Sequence, residues 1–435
     1  MNIGYHDDPK TGYGRFGIAV HDELVRQGIV DLGAIGTNDG DAPKPKGVAP
    51  VTLHLSTPPH VTGWYEGQFA AIFTMWEFSE LPHGFRENVP EFHRIFVPSL
   101  QNQELFSNFH PDVRYVPLAV GPEWGYRKRQ MPEDVFHVLT GGAGPRKGCP
   151  EVLRAFNTVF RGWTPKMGPR PHLTIRAKGT QSAELTPSDR VTIIAQPVSA
   201  DMELELYARS HVFVSGSQGE GWGLMPHQAI AQGLPTILGN GHGHAAFAHY
   251  GIPVSVDEVP VDDYSTHWGN PGCAWVPNFY EICEKLRWVY DNYEEAANHA
   301  DAASVFIAEE FSWEKTAADL IVNLPDTSDP SLHIGSVSDE WHGMPQRLYT
   351  VRVVRHSTWQ VNGKLKTFDP GCVYAETWDW KERLASRGDL TNGCINPLEM
   401  GYTTPPVLPK PRCPHCDQRY GVDASLLPEN LVTNG

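Results

Sequence analysis

The alternation of short apolar runs with amphipathic segments is the feature of this sequence that most restricts its fold. The apolar runs MNIGYH, VTLHL, AAIFTMW and RIFVPS all fall within roughly residues 1–125. The segment GRFGIAVHDELVRQG follows the first run, carries apolar residues at helical spacing from Phe16 to Val25, and ends at Gly28. Strands that alternate with helices predict a parallel sheet covered on both faces.

The second part of the chain repeats this pattern. It contains the strand candidates VFHVLTGG, HLTIRAKG, VTIIAQPV, HVFVSGS and LPTILGN, and the helix candidate CPEVLRAFNTVFRGW. Because 435 residues are too many for one ordinary core, we predict an α/β fold with two facing domains, at 1–125 and 126–328. Ligands of open parallel sheets collect at the carboxyl ends of the strands, so the cleft between the domains should hold the site.

The composition changes after residue 328. A polar, turn-rich stretch predicts a linker at 329–345, and residues 346–435 contain β-branched strand material and an Asn362-Gly363 hairpin signal. We therefore expect a small appended β-rich domain that serves acceptor docking or oligomerisation. Its cysteines predict a structural zinc site, with free thiols or ligands to a partner as alternatives, and the four ligands would be Cys372, Cys394, Cys413 and Cys416.

Charge and hydropathy limit the classes of partner. The net charge of −16 argues against a broad electrostatic grip on nucleic acid, although a local basic groove stays open. The N-terminal residues have neither a basic region nor an apolar run of signal-peptide length, and no apolar stretch approaches the length of a transmembrane segment. We expect a cytoplasmic protein. Seven cysteines, an odd number spread over a long chain, do not suggest a disulfide framework.

The stretch SGSQGEGWGLMPHQAIAQGL, residues 215–234, predicts an anion site. Its glycines allow a tight turn after a strand, Pro226 suits the first turn of a helix, and Gly233 suits the end of that helix. The free N–H groups at such a helix start attract a phosphate. Glu220 would then contact another part of the ligand, such as sugar hydroxyls; the alternative is a solvated acid in a simple glycine turn.

Two further windows carry weaker signals. Arg146 and Lys147 follow the strand VFHVLTGG and would clamp a diphosphate if they face the same cleft, although an adjacent cation pair is usually solvated. The stretch GYGR, residues 12–15, lies between the first strand and the first helix, where glycines allow close approach of a ligand. It lacks the full dinucleotide fingerprint, so we predict no NAD site.

The ordered set of motifs resembles a known family. TMWEFSELP, RIFVPSLQNQELF, VRYVPLAVGPEW, RKGCPEVLRAF, SQGEGWGLMPHQAIAQGLPTI and FSWEKTA together look like the retaining nucleotide-sugar glycosyltransferases of glycosyltransferase family 4. The resemblance covers about residues 1–325 and implies the GT-B architecture of two facing Rossmann-like domains, with the last helix crossing back to the first domain. The β-rich tail resembles small domains of phage structural proteins, which would make the chain phage-encoded and place it in the host cytoplasm.

The resemblance also implies roles for individual residues. Glu220 would lie at the transferred sugar, and His54 matches the family's cleft histidine, with a purely structural histidine as the alternative. Other implied donor contacts are Gly12, Gly14, Arg15, Arg146, Lys147, Gly221, Trp222, Gly223 and Leu224, and Tyr13, Trp76 and Glu77 would line the cleft.

The chain departs from the family pattern in two places. Gln228 replaces a second glutamate that holds the nucleotide ribose, and no arginine directly follows TGG. An amide oxygen still accepts a hydrogen bond from a hydroxyl, so we expect weaker donor binding, by about 1 kcal/mol, rather than a lost reaction.

The implied activity is metal-independent transfer of a sugar, with retention, from a UDP- or GDP-sugar. No Asp-x-Asp metal motif is visible at a comparable strand end. The acceptor stays open between a protein, a glycan, a lipid carrier and a modified nucleobase. Alternatives are an inactive GT-B carbohydrate-binding or assembly protein and a nucleotide-sugar epimerase.

Overall fold

The computed structural model describes residues 1–6, 8–36, 45–178, 185–261, 271–325 and 341–344, together with the backbone of four strands between 348 and 377. The proposed zinc ligands Cys372, Cys394, Cys413 and Cys416 lie outside the described residues. Within the described part, no helix is long and apolar enough to cross a membrane.

The first lobe is built on a five-stranded parallel sheet. Its strand order is β1-β2-β4-β5-β6, and a short strand β3 stands apart from it. Phe16 of the first helix and Phe73 of the sheet are fully buried and meet edge to face, so the apolar residues that predicted the helix also fix it on the sheet. The strands are β1 (Asn2–Tyr5), β2 (Val51–Leu55), β3 (Gly63–Tyr65), β4 (Phe69–Phe73), β5 (Arg94–Val97) and β6 (Val113–Tyr115), and the helices are α1 (Gly12–Arg26), α2 (His83–Asn88) and α3 (Leu100–Ser107).

The second lobe has a six-stranded parallel sheet with the order β12-β11-β10-β7-β8-β9. Two neighbouring strands of this sheet, at Val212–Val214 and Thr236–Gly239, are buried at every residue, as expected when helices cover both faces. The strands are β7 (Val135–Ala143), β8 (Arg170–Lys178), β9 (Val191–Ile194), β10 (Val212–Val214), β11 (Thr236–Gly239) and β12 (Ile252–Val254). The helices are α4 (Cys149–Val159), α5 (Ala200–Ala208), α6 (Leu224–Ala231), α7 (Phe279–Asp291) and α8 (Tyr293–Glu310), and a hairpin joins β13 (Val256–Pro260) to β14 (Cys273–Pro277).

The α/β prediction with parallel sheets is therefore confirmed. A last helix, α9 (Trp313–Val322), leaves the second lobe and packs against α1 of the first. Ser312 caps the start of this helix by accepting a hydrogen bond from the Lys315 amide. The Thr316 hydroxyl donates to the Pro117 carbonyl over 2.9 Å, and the Gln27 side chain donates to the Glu314 carbonyl over 2.8 Å. The chain thus crosses between the lobes twice.

The segment expected to be a linker includes a strand that returns to the first lobe. Strand β15 (Trp341–Gly343) pairs antiparallel with β3, and the Met344 amide donates to the Thr62 carbonyl over 2.9 Å. The Met344 side chain is buried. Farther on, β16 (Leu348–Arg352) pairs with β19 (Val373–Thr377), and β17 (Ser357–Val361) pairs with β18 (Lys364–Phe368). In the second pair Val361 pairs with Lys364, and the predicted hairpin turn at Asn362-Gly363 lies outside the described residues.

The junction between α4 and the loop before it depends on a glycine. Gly148 has a φ of +61°, and a Cβ atom there would lie 2.0 Å from the Gly216 carbonyl oxygen. Gly162 has a similar φ of +73°, but a Cβ atom there would meet nothing within 4 Å.

These two glycines give a matched pair of variants. We expect Gly162→Ala to lower the free energy of unfolding by about 1–2 kcal/mol, because a left-handed backbone disfavours a side chain. Gly148→Ala should cost about 3–4 kcal/mol, because the clash adds to the same backbone penalty. Denaturant unfolding of both variants measures the difference, and equal losses would contradict the close approach at Gly148.

Candidate functional site

Three loops of the second lobe meet at one edge of its sheet. They follow the neighbouring parallel strands β7, β10 and β11, whose carboxyl ends lie side by side. The loop that follows β4 in the first lobe faces them: a Cβ atom at Gly221 would lie 2.5 Å from Cγ of Met75. The predicted windows at 144–148 and 215–224 therefore come together in the cleft between the lobes, which is where open parallel sheets bind ligands.

Glu220 is the buried acid of this cleft. Its side chain accepts a hydrogen bond from the Ser217 hydroxyl over 2.8 Å and one from the Lys147 ammonium group, and Arg146 lies 3.3 Å from its other oxygen. Burial alone would raise the pKa of the Glu220 carboxyl, but Lys147 and Arg146 outweigh burial and hold the pKa far below its usual range. Glu220 is therefore a carboxylate at neutral pH.

Both predicted diphosphate cations are held by acids. Arg146 lies 3.3 Å from Glu77 of the first lobe, so it bridges the two lobes, and it also donates to the Gly219 carbonyl. Burial and the neighbouring Arg146 lower the pKa of the Lys147 ammonium, while Glu220 acts in the opposite direction. The two cations thus face the carboxylates of Glu220 and Glu77.

Helix α6 begins four residues after Glu220, and no side chain caps its start within the described residues. Its first residue is Leu224, and the preceding Gly223, at a φ of 103°, provides no side-chain cap. Helix α6 also carries Gln228, which is 5% exposed and whose side-chain oxygen has no hydrogen-bond partner within the described part of the chain. The uncapped helix start and the Gln228 oxygen are therefore polar groups that remain available to bind a ligand.

Gln228 and Leu224 line a cavity of about 480 Å³ between the lobes. Arg15, Arg176 and Glu203 line the same cavity. Arg15 of α1 donates to one oxygen of the Glu203 carboxylate over 2.5 Å, and Arg176 of β8 donates to the other oxygen. Arg15, a predicted donor contact, therefore lines the cavity. Its ion pair with Glu203 joins the two lobes.

The predicted glycine loop is the first turn of α1. Helix α1 begins at Gly12, and the Gly14 amide donates to the side chain of Thr11, which caps the helix. The next residue after Gly12, Tyr13, accepts a hydrogen bond from the Met75 amide over 3.1 Å and so holds the first-lobe loop that covers Gly221. The turn contributes to the cleft through the contact between Tyr13 and this loop.

The structure does not bring His54 or Trp222 to the cavity. The His54 ring is fully buried inside the first lobe, 6.4 Å from the Trp64 ring and 6.2 Å from the Phe92 ring, and burial lowers its pKa to about 3. Trp222 is 1% exposed, packs against Phe247, and donates from its indole nitrogen to His227 over 3.1 Å. Burial of Trp222 removes a large apolar surface from water, whereas His54 is enclosed because all five residues of its strand are buried. Likewise, Trp76 is buried against Phe85.

Two histidines of this region were not predicted from the sequence. His242 and His244 follow β11 in the stretch GNGHGHAAF, at the same edge as Glu220. Both are buried, their ring centroids lie 4.3 Å apart, and the Gly243 amide between them donates to the Glu220 carbonyl over 2.8 Å. Their position directly after an apolar strand is the signal that could have identified them. Among the described residues, no three His, Cys, Asp or Glu side chains form a group that could hold a metal ion.

Comparison with solved structures supports the fold. The chain is similar to WaaG, a glycosyltransferase involved in lipopolysaccharide biosynthesis, with a TM-score of 0.51 and 13% sequence identity. The similarity covers 74% of this chain and 98% of WaaG. The two facing parallel sheets therefore form the GT-B architecture.

Comparison with curated sequences finds a viral relative. This chain is 32% identical over 109 residues to "Putative glycosyltransferase 41" of Sulfolobus islandicus filamentous virus, which is 24% of this chain and 32% of the viral protein. The match thus spans about a third of the relative's length.

A family model covers the part of the chain that builds the cleft. The model described as "Family 4 Glycosyltransferase in conflict systems" matches residues 99–320, just over half of the 435 residues. This range includes Arg146, Lys147, Glu220 and Gln228. The chain belongs to the family 4 glycosyltransferases in conflict systems.

Proposed function

We propose that this protein transfers a sugar from a nucleoside-diphosphate sugar to an acceptor, with retention of configuration and without a metal ion. The observation that carries the proposal is the buried Glu220 carboxylate between Lys147 and Arg146, beside the uncapped start of α6. A sugar at the carboxylate would place its diphosphate against the two cations and the helix N–H groups.

The leaving diphosphate would be stabilised by charges that the protein already holds in place. Lys147, Arg146 and the start of α6 are fixed before the donor arrives, so little reorganisation is needed when negative charge develops. When phosphate oxygens replace Glu220 as partners of the cations, the carboxylate is released toward the transferred sugar. An ionised carboxylate there stabilises the positive charge that develops on the sugar ring.

Retention requires that the acceptor attack the face of the sugar from which the phosphate departs. The bond between the anomeric carbon and the departing phosphate breaks, the acceptor oxygen bonds to the same face of that carbon, and the acceptor's proton moves to the departing phosphate oxygen. His54 is enclosed in the first lobe and borders neither Glu220 nor the cavity, so we give it no part in this step.

The cavity at Gln228 would receive the nucleoside. Its volume of about 480 Å³ is in the range of small-molecule sites, and the unpartnered oxygen of Gln228 can accept from a ribose hydroxyl. We propose UDP- or GDP-sugars as donors. The acceptor would be a protein, a glycan, a lipid carrier or a modified nucleobase. The viral relative supports a virus-encoded enzyme that acts in the host cytoplasm.

Glu220→Gln tests the role of the acid. We expect turnover of the donor, by transfer or slow hydrolysis, to fall about 10²–10³-fold, because an amide cannot stabilise the positive sugar centre. Binding of UDP or GDP should persist or strengthen, since the variant frees two cations. The measurements are turnover of a panel of UDP- and GDP-sugars and calorimetric titration with UDP and GDP.

Glu205→Gln, at an exposed acid on α5, is the matched control for Glu220→Gln and should behave as wild type. Full turnover by Glu220→Gln would overturn the assignment. In the wild-type protein, tight nucleotide binding without turnover of any donor would indicate a binding protein, and an epimerised sugar would indicate an epimerase.

Gln228→Glu tests the nucleoside contact. A carboxylate accepts from ribose hydroxyls more strongly than an amide, so we expect about fivefold tighter binding of UDP or GDP, or about 1 kcal/mol. The gain should be smaller with the 2′-deoxy nucleotide, which offers one hydroxyl fewer. Equal affinities of the variant and the wild type for the ribonucleotide would contradict a ribose contact at position 228.

Chelation tests metal independence. Because the protein's own cations face the diphosphate, transfer should proceed at an unchanged rate after dialysis against EDTA, and added Mg²⁺ or Mn²⁺ should not accelerate it. A loss of rate that Mg²⁺ or Mn²⁺ restores would show that the reaction needs a divalent ion.

A further inference from the structure

His244 lies directly against the start of α6. A Cβ atom built on Gly223 would come within 2.4 Å of both Nε2 and Cδ2 of the His244 ring, so only glycine at position 223 leaves space for this imidazole. The His244 side chain is fully buried, and neither ring nitrogen makes a hydrogen bond of ordinary distance and angle within the described residues, although the Gly239 backbone is near enough to act on its pKa. Buried polar groups without partners are rare and commonly mark the place of a missing ligand.

The backbone around His244 is unusual in a second respect. His242 has a φ of 44°, and among the described residues it is the one non-glycine residue with a positive φ. Such a conformation costs about 1 kcal/mol or more and persists where the surrounding structure enforces it. The His244 amide points at Nδ1 of His242 over 3.4 Å, so the strained residue helps to set the direction of the turn that carries His244.

This turn lies at the junction of the lobes. Helix α3 of the first lobe lies against the segment His242–Ala246, and Met75 of the first lobe covers Gly221. The segment that carries His244 therefore borders the first lobe, and a donor bound between Glu220 and the start of α6 would lie next to the His244 ring. At neutral pH the ring is an uncharged imidazole, because burial lowers its pKa to about 4, and it carries one N–H to donate.

We propose that His244 donates a hydrogen bond from its imidazole N–H to the sugar-proximal phosphate of the donor, and so stabilises the leaving diphosphate. This proposal rests on the proposed function. In the proposed function, Glu220 lies at the sugar and the start of α6 lies at the phosphate next to the sugar. Because Nε2 of His244 lies beside Gly223 at the start of α6, it would lie next to the same phosphate. As a hydrogen-bond donor to the phosphate, the imidazole N–H would partly replace the arginine that is missing after TGG.

Nucleotide titration of ring variants tests this role. In UDP and GDP the terminal phosphate is the one that carried the sugar, and UMP and GMP lack it. In His244→Phe and His244→Ala, the preference for UDP over UMP, or GDP over GMP, should fall about tenfold, because one hydrogen bond to a charged group is lost. His244→Gln, whose amide can reach the position of Nε2, should recover part of that preference.

The controls separate this role from a structural one. His249→Phe alters an exposed histidine five residues farther along the chain and should leave the preference unchanged. Thermal unfolding shows whether each variant is folded. If the larger side chain of His244→Phe prevents folding, the test rests on His244→Ala. A residue that only fills space would not give a higher diphosphate preference in His244→Gln than in His244→Ala.

The outcomes are distinguishable. A folded His244→Ala protein that keeps the wild-type preference for the diphosphate overturns the role of His244 and leaves the proposed function standing. A wild-type protein that binds neither UDP nor GDP overturns both.

Discussion

The cleft depends on one buried ionic cluster. Glu220 accepts hydrogen bonds from Ser217 and Lys147 and forms an ion pair with Arg146. The contacts with Lys147 and Arg146 join the loop after β10 to the loop after β7. Arg146 extends the cluster to Glu77 of the first lobe. A buried ion pair adds little net stability, because desolvation offsets its attraction, but removal of one partner leaves an uncompensated charge. The cluster therefore fixes geometry more than it stabilises the fold.

A second ionic contact acts at the other side of the cleft. Glu203 of α5 receives Arg15 from the first lobe and Arg176 from its own lobe. Together with α9, which returns from the second lobe to α1, this contact limits how the two sheets can turn against each other. Both bridges pair cations of the cleft with carboxylates that reach across the lobes. In the proposed function, an anionic donor would compete with these carboxylates for the same cations.

The fold was predictable because its strands are short apolar runs with turn residues at both ends. The glycine window at 215–234 was predictable for the same reason, since its turn and helix signals are local. The enclosed position of His54 was not predictable from the sequence. All five residues of VTLHL are buried, and such a strand has no alternation of apolar and polar residues to show where a side chain points. The contact of Arg15 with Glu203 joins residues 188 positions apart, which no local pattern encodes. His242 and His244 required the strand order, which places β11 beside β10.

The position of Gln228 in the structure limits what its replacement of a second glutamate can change. Gln228, on helix α6, lines the cavity, and its buried side-chain oxygen has no hydrogen-bond partner among the described residues. Glu220, eight residues earlier, lies in the ionic cluster with Lys147 and Arg146. A second carboxylate on α6 would add a negative charge to a cavity wall that already holds Glu203. In the proposed function, the amide of Gln228 keeps an uncharged acceptor for a ribose hydroxyl, which is weaker than a carboxylate. The acid that the proposed chemistry uses is Glu220, which Lys147 and Arg146 hold in place.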